Sequence, residues 1–252
     1  MRHFSKENLG LALPRNLQRG KSWDYTFVTY NISDLHLLSI LNVAYIFPLY
    51  LYPDQQEGKL FDDDVHEVDR ISNFTPDFLH AVKESIGSEL APEEIFCYVY
   101  AVLYSPTYRK RYEEFLKIDF PRVPLSSDLE VFKELGDLGK ELVDLHLLKN
   151  SVLDETEIGF PKGGSNNVEK VFYDKEKHRV FINREQYFEA VSEEVWEYRI
   201  GAYQVMDKYL KDRKKRKLSL DEINHYMKVA KAIRLTIELQ ERIDDLYRRS
   251  QI

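Results

Sequence analysis

Ser219 with Glu222 three residues later forms a capping box: the serine hydroxyl accepts an exposed amide while the glutamate reaches back to the cap. Behind it, Ile223, Tyr226, Ala230, Ile233, Ile237 and Gln240 recur in alternating steps of three and four, which predicts one long amphipathic helix. A seam of that length must lie against something equally long. Either a second helix of the same domain or a separate body provides it.

A second stripe meets the same demand. Asp128 can cap a helix on which Leu129, Phe132, Leu135, Leu138, Leu142, Leu145 and Leu148 return to one face, the pattern of core packing. Thr75-Pro76 and Pro92 open two more helices, the latter carrying Ile95, Phe96, Val99, Tyr100 and Leu103 on a broad apolar face. Before them, Leu9 to Leu13, Tyr25 to Tyr30 and Tyr45 to Leu51 are aromatic or β-branched runs broken by Pro14, Gly20 and Pro48, which predicts strands joined by loops. Asp54 to Arg70 is acidic and is expected to be a solvated loop. Beyond the glycine-rich Gly163 to Asn167, Val168 to Tyr173 and Arg179 to Asn183 flank a hairpin whose register decides whether Lys170 or Tyr173, with Arg179, faces out. Val195 to Ile200 is expected to add a strand before a helix over Tyr203 to Arg213. The fold class is therefore α/β of the α+β kind, with a mixed β platform, a helical layer and a C-terminal helix pair. Residues 1–200 form the platform and 201–252 a helical packing region.

Chemistry of the catalytic kind finds little to stand on. Gly20-Lys21-Ser22 looks like the end of a P-loop, but Arg15 occupies the place of its first glycine. The seven histidines show no zinc-hydrolase spacing, and His36 and His146 are expected to satisfy buried hydrogen bonds. Asp54, Glu57 and Lys59 are too close in sequence to build a two-strand nuclease site. Cys97 sits in an apolar run, which suits a buried thiol and a reducing cytoplasm, and no apolar stretch reaches membrane-spanning length.

Polar recognition has more support. The loop from Pro14 to Trp23 offers Arg15, Asn16, Gln18, Arg19 and Lys21, the cations and amides that address phosphates and base edges. Ser105-Pro106 starts a helical turn that brings Tyr108 and Arg109 near a helix beginning, where a phosphate could sit. Gly163 to Lys170, with Tyr173 and Arg179 beyond, and the basic run from Lys208 through Lys214 to Lys217 are further candidates. The net charge of −7 excludes a generally basic nucleic-acid binder, so any such contact must come from a local patch.

Ala101 to Pro124, AVLYSPTYRKRYEEFLKIDFPRVP, together with Tyr45 to Pro53, resembles the C-terminal target-recognition region of type ISP restriction-modification enzymes and related N6-adenine DNA methyltransferases. Asn8-Leu9-Gly10-Leu11 with Phe27-Val28-Thr29, Leu142 to Leu148, and Gly201 to Leu210 leading into Leu218-Ser219 agree in order, so the resemblance covers nearly the whole chain. It implies sequence-specific recognition of double-stranded DNA by a fragment that has no catalysis of its own. It also implies that S-adenosylmethionine, ATP and Mg belong only to the full-length parent, whose methyltransferase and translocase domains would be partners. The terminal helices would then act as a spacer against the methyltransferase. The alternative is a protein-interaction or scaffold domain that docks to a DNA-modifying enzyme through its helical seam.

Overall fold

The computed structural model describes residues 2–4, 6–17, 23–31, 43–52, 70–201 and 203–250. Gln18, Arg19, Lys21, His36 and the acidic stretch around Asp62 to Asp64 lie outside them.

Three short strands open the chain: β1 (Gly10–Pro14), β2 (Phe27–Thr29) and β3 (Ala44–Pro48). They form an antiparallel sheet in the order β2-β1-β3. Strand β4 (Tyr50–Leu51) pairs with β5 (Ile71–Ser72). Helix α1 (Pro76–Ile86) begins at Thr75, whose side chain accepts from the Phe78 amide, and ends at Gly87 in the left-handed region. Helix α2 (Pro92–Tyr104) is followed by α3 (Pro106–Arg111), capped by Ser105, then α4 (Glu113–Leu116). Asp128 caps α5 (Leu129–His146) through the amides of Glu130 and Val131. The predicted caps all form because each supplies an oxygen to amides that have no partner inside the helix.

Helices α2 and α5 make the tightest contact. Tyr98 and Phe132 stack at 4.0 Å, and a Cβ on Gly139 would lie 1.9 Å from the Cys97 carbonyl, so only glycine permits this approach. His146, at the end of α5, bonds Tyr100 Oη at 2.7 Å and Thr236 Oγ1 at 2.9 Å. Burial and the nearby Arg109 charge push its pKa down to about 4, so the ring is neutral.

Beyond residue 170, β6 (Phe172–Asp174), β7 (Arg179–Phe181) and β8 (Tyr187–Phe188) form an antiparallel sheet in sequence order. The register Phe172↔Phe181 places Tyr173 opposite the buried Val180. Tyr173 therefore packs inward, its ring 5.3 Å from Trp196 and its hydroxyl on the Val191 carbonyl, while Lys170 is exposed. The expected strand over Val195 to Ile200 is instead helix α6 (Glu193–Glu197) followed by β9 (Arg199–Ile200). Ser192 caps that helix and two glutamates fill its first turn, signals that outweigh the β-branched and aromatic content. β9 pairs with β10 (Tyr203–Gln204), which leads into α7 (Val205–Lys211). Gly201 turns this hairpin at φ 58°, with its amide on Asp24 at 2.9 Å and no space for a Cβ beside Tyr25.

The long terminal helix is α8 (Leu220–Arg249), about 45 Å at 1.5 Å per residue. Its partner is the chain itself. Two apolar cores share it: α1 to α5 and the first strands surround its Leu239, Ile243 and Tyr247, whereas β6 to β8, α6 and α7 surround its Ile223, Tyr226 and Ala230. No helix of the described residues is long and apolar enough to cross a membrane.

Candidate nucleic-acid interface

Two stretches that are separate in sequence meet along one ridge. The Val168 amide donates to the Arg216 carbonyl at 2.9 Å, Lys215 returns a bond to Val168 at 2.7 Å, and Leu218 bonds Asn166 at 2.9 Å. On the other side, Glu169 and Lys170 donate to the Ile182 carbonyl. Val168 and Leu218 are fully buried and anchor the ridge to the second core. Left-handed backbone at Asn166 and Lys215 makes the turns that bring the two stretches together.

The glycine-rich loop is held by buried amides. Gln186, 1% exposed, accepts from the Asn166 amide at 2.7 Å and from Asn183 Nδ2 at 3.0 Å. It donates to the Lys162 carbonyl at 3.1 Å and to Asn166 Oδ1 at 2.7 Å. Asn183 also reaches the Asn167 carbonyl at 3.1 Å and receives the Gln186 amide at 2.8 Å. A Cβ on Gly164 would lie 2.8 Å from the Gln186 amide carbon, which is why this loop carries a glycine there. Composition reads as a flexible connector; the bonding network makes it a pinned one.

Charge on the ridge divides into committed and uncommitted cations. Glu222 takes Arg213 at 3.1 Å and Arg216 at 2.6 Å, and these bonds, Arg216 first, hold its pKa down to about 2. Lys211 pairs with Asp207, and Lys208 with Asp212. Lys170, Arg184, Lys214, Lys215 and Lys217 are exposed and have no ion pair among the described residues. The exposed carboxylates nearest to them in sequence are Glu169 and Glu185 on one side and Asp212, paired with Lys208, and Asp221 on the other. Arg179 is half-buried, stacked 4.2 Å over Tyr187 and 3.7 Å from Glu189.

The other sequence candidates fall elsewhere. Ser105 and Tyr108 are fully buried and present no surface to a phosphate. The α3 N-terminus is already occupied by the Asp244 carboxylate of α8, which accepts from Ser105 Oγ at 2.7 Å, the Thr107 amide at 2.7 Å and Thr107 Oγ1 at 2.9 Å. An internal anion thus fills the site that spacing offered to an external one. Arg109 donates Nε to the Leu103 carbonyl at 2.6 Å and lies over Tyr104, a packing role. Arg15 is exposed and pairs with Asp119 at 3.1 Å, beside exposed Asn16. Sequence reasoning passed over Asn183, Arg184 and Gln186. Their one signal was a polar Asn-x-x-Gln interruption between Ile182 and Tyr187 in an apolar run.

A family model, the Type ISP C-terminal specificity domain, matches residues 1–242. The chain belongs to this family. No curated protein sequence matches the specificity domain. Its fold is similar to part of the ATP-dependent Type ISP restriction-modification enzyme LlaBIII bound to DNA, with TM-score 0.71 and 23% identity over 95% of this chain and 16% of that one. A nuclease-deletion mutant of the Type ISP enzyme LlaGI with a DNA substrate mimic gives 0.64 and 22% over 94% and 18%. A DrdV–DNA complex gives 0.66 and 21% over 95% and 24%. The specificity domain therefore spans less than a quarter of each of these chains.

Proposed function

We propose that this specificity domain recognises a sequence in double-stranded DNA on behalf of a larger N6-adenine methyltransferase and restriction enzyme, and does no chemistry itself. S-adenosylmethionine, ATP and Mg act in other domains of that parent, in a reducing cytoplasm suited to the buried Cys97 thiol. The observation that carries the reading is the pinned ridge, where Lys214, Lys215 and Lys217 stand beside a loop whose backbone is fixed by Gln186 and Asn183. Lysines supply sequence-independent grip on phosphates, and a rigid neighbouring loop holds Asn167 and Lys170 where base edges can be read. Arg15 and Asn16 add a second contact from the first core. Residues 1–200 and the 201–252 helices both contribute to this surface.

The test is duplex binding by this chain as a function of salt. Replacing Lys214, Lys215 and Lys217 together with Gln lowers the log–log salt slope by up to about 2.7, at about 0.9 per phosphate contact, and weakens all sequences alike. An unchanged slope refutes the ridge as the phosphate-binding surface.

Docking to the remaining domains of the enzyme is a second role, favoured by one apolar surface. Phe120 meets Tyr45 and Phe47 edge-on at 5.3 and 5.2 Å, both of those rings are exposed, and Phe115 and Ile118 just before it are 73% and 71% exposed.

A further inference from the structure

The connection from β7 to β8 shows two side chains to solvent, and one of them is an arginine bonded to nothing. Residues 182–186 form a closed turn: the Ile182 amide donates to the Gln186 carbonyl at 3.1 Å, and Asn183 Oδ1 accepts from the Glu185 and Gln186 amides at 3.0 and 2.8 Å. Ile182, Asn183 and Gln186 are buried, whereas Arg184 and Glu185 are exposed. The turn is tied to the ridge at two points. Asn183 Nδ2 donates to the Asn167 carbonyl at 3.1 Å, and the Ile182 carbonyl accepts from the Glu169 and Lys170 amides at 2.8 and 3.2 Å. The backbone of Arg184 is therefore fixed, and fixed next to the ridge.

The neighbouring arginines are committed elsewhere. Arg179 lies over Tyr187 and near Glu189, and Glu222 holds both Arg213 and Arg216. Arg184 has no ion pair, ring contact or hydrogen bond among the described residues, and none with the adjacent Glu185. Its chemistry differs from that of the ridge lysines. A guanidinium is a planar fork that matches the O6 and N7 acceptors of guanine, whereas an ammonium is a point charge suited to phosphate. Glu185 cancels the charge of Arg184, so the turn adds no net attraction for a phosphate backbone and its use lies in direction. The turn is also the tip of a two-stranded antiparallel ribbon, a shape that the major groove of B-DNA admits.

We propose that Arg184 is a specificity-determining residue of this domain and reads one guanine through paired hydrogen bonds to O6 and N7 in the major groove. The assignment rests on duplex recognition by the ridge and adds the base and the side chain that selects it.

The test is selection of duplexes from a random-sequence library at low salt by this chain, wild type and variant. Wild type should enrich a motif that contains a fixed G·C pair. Arg184→Ala removes an exposed side chain without partners, so it should melt as wild type does and lose the preference at one such pair by about tenfold, with the rest of the motif kept. Arg184→Lys keeps the charge without the fork and should lose the same preference. In the selected duplex, 7-deazaguanine at that position removes the N7 acceptor; it should weaken wild type and leave Arg184→Ala unaffected. An Arg184→Ala motif identical to that of wild type, including one bound uniformly more weakly as a phosphate contact would give, overturns the assignment and leaves recognition by the domain standing. Equal sensitivity of the two proteins to 7-deazaguanine overturns it in the same way. If the wild-type chain enriches no motif at all, the recognition reading itself fails and the assignment falls with it.

Discussion

Removing the Gln186 side chain is the sharpest test of the pinned ridge. Gln186→Ala deletes two accepted and two donated hydrogen bonds from a residue that is 1% exposed. At a net value near 1 kcal/mol each, the loss approaches about 4 kcal/mol, reduced to about 2–4 kcal/mol if water enters from the exposed loop beside it. For a domain of this size that corresponds to a melting temperature lower by roughly 5–15 °C. Two assays separate global from local effects. Chemical denaturation reads total stability, and hydrogen exchange at the Asn166 and Val168 amides reads the ridge itself. Asn183→Ala with Gln186→Ala should cost less than the sum of the single changes, because the two side chains share a bond. DNA affinity should fall with little change in salt slope, since every ridge lysine is still present. A melting temperature within about 1 °C of wild type, together with unchanged protection at Asn166 and Val168, refutes the reasoning.

Gly139→Ala should destabilise by about 1–3 kcal/mol by forcing α2 and α5 apart, whereas Gly136→Ala, whose new Cβ would sit 3.7 Å from the Glu94 carbonyl, should be neutral or stabilising; urea melts of the pair decide this. Asp244→Ala removes three bonds at the α3 N-terminus and should cost about 2–4 kcal/mol, with DNA binding by the folded fraction unchanged; loss of binding without loss of stability would contradict the internal-anion assignment. His146 has a folded pKa of about 4 against 6.5 when free, so the unfolded chain takes up its proton first. Its contribution is complete above pH 6.5 and is lost as pH falls from 6.5 towards 4, about 3 kcal/mol in all, so His146→Gln should flatten that part of the stability–pH curve.

Local rules were legible wherever a few neighbouring residues settle the outcome. Thr75, Ser105, Asp128 and Ser219 cap the helices expected of them, and Phe132, Leu135, Leu138, Leu142 and Leu145 of the α5 stripe are buried as its period requires, whereas Leu148 lies past the helix end in left-handed backbone. Residues 193–200 misled because a capped acidic first turn competed with β-prone side chains over a very short span, and tertiary packing of Val195 and Trp196 settled it. The site was legible in its parts but not in its assembly. The basic run and the glycine-rich loop were each visible, yet nothing in either predicts the bonds from 166–168 to 215–218.

The sequence by itself determined the longer helices, their caps, the β-rich start and the family, because each follows from the identity and spacing of residues within a few turns of chain. Tertiary structure alone decided what each polar group faces. The α3 N-terminus that could have held a phosphate received Asp244 from 137 residues away, and lysines some fifty residues beyond the glycine-rich loop came to stand beside it. A hydrogen bond or ion pair is fixed by distance in space, and spacing along the chain constrains that distance only within one element.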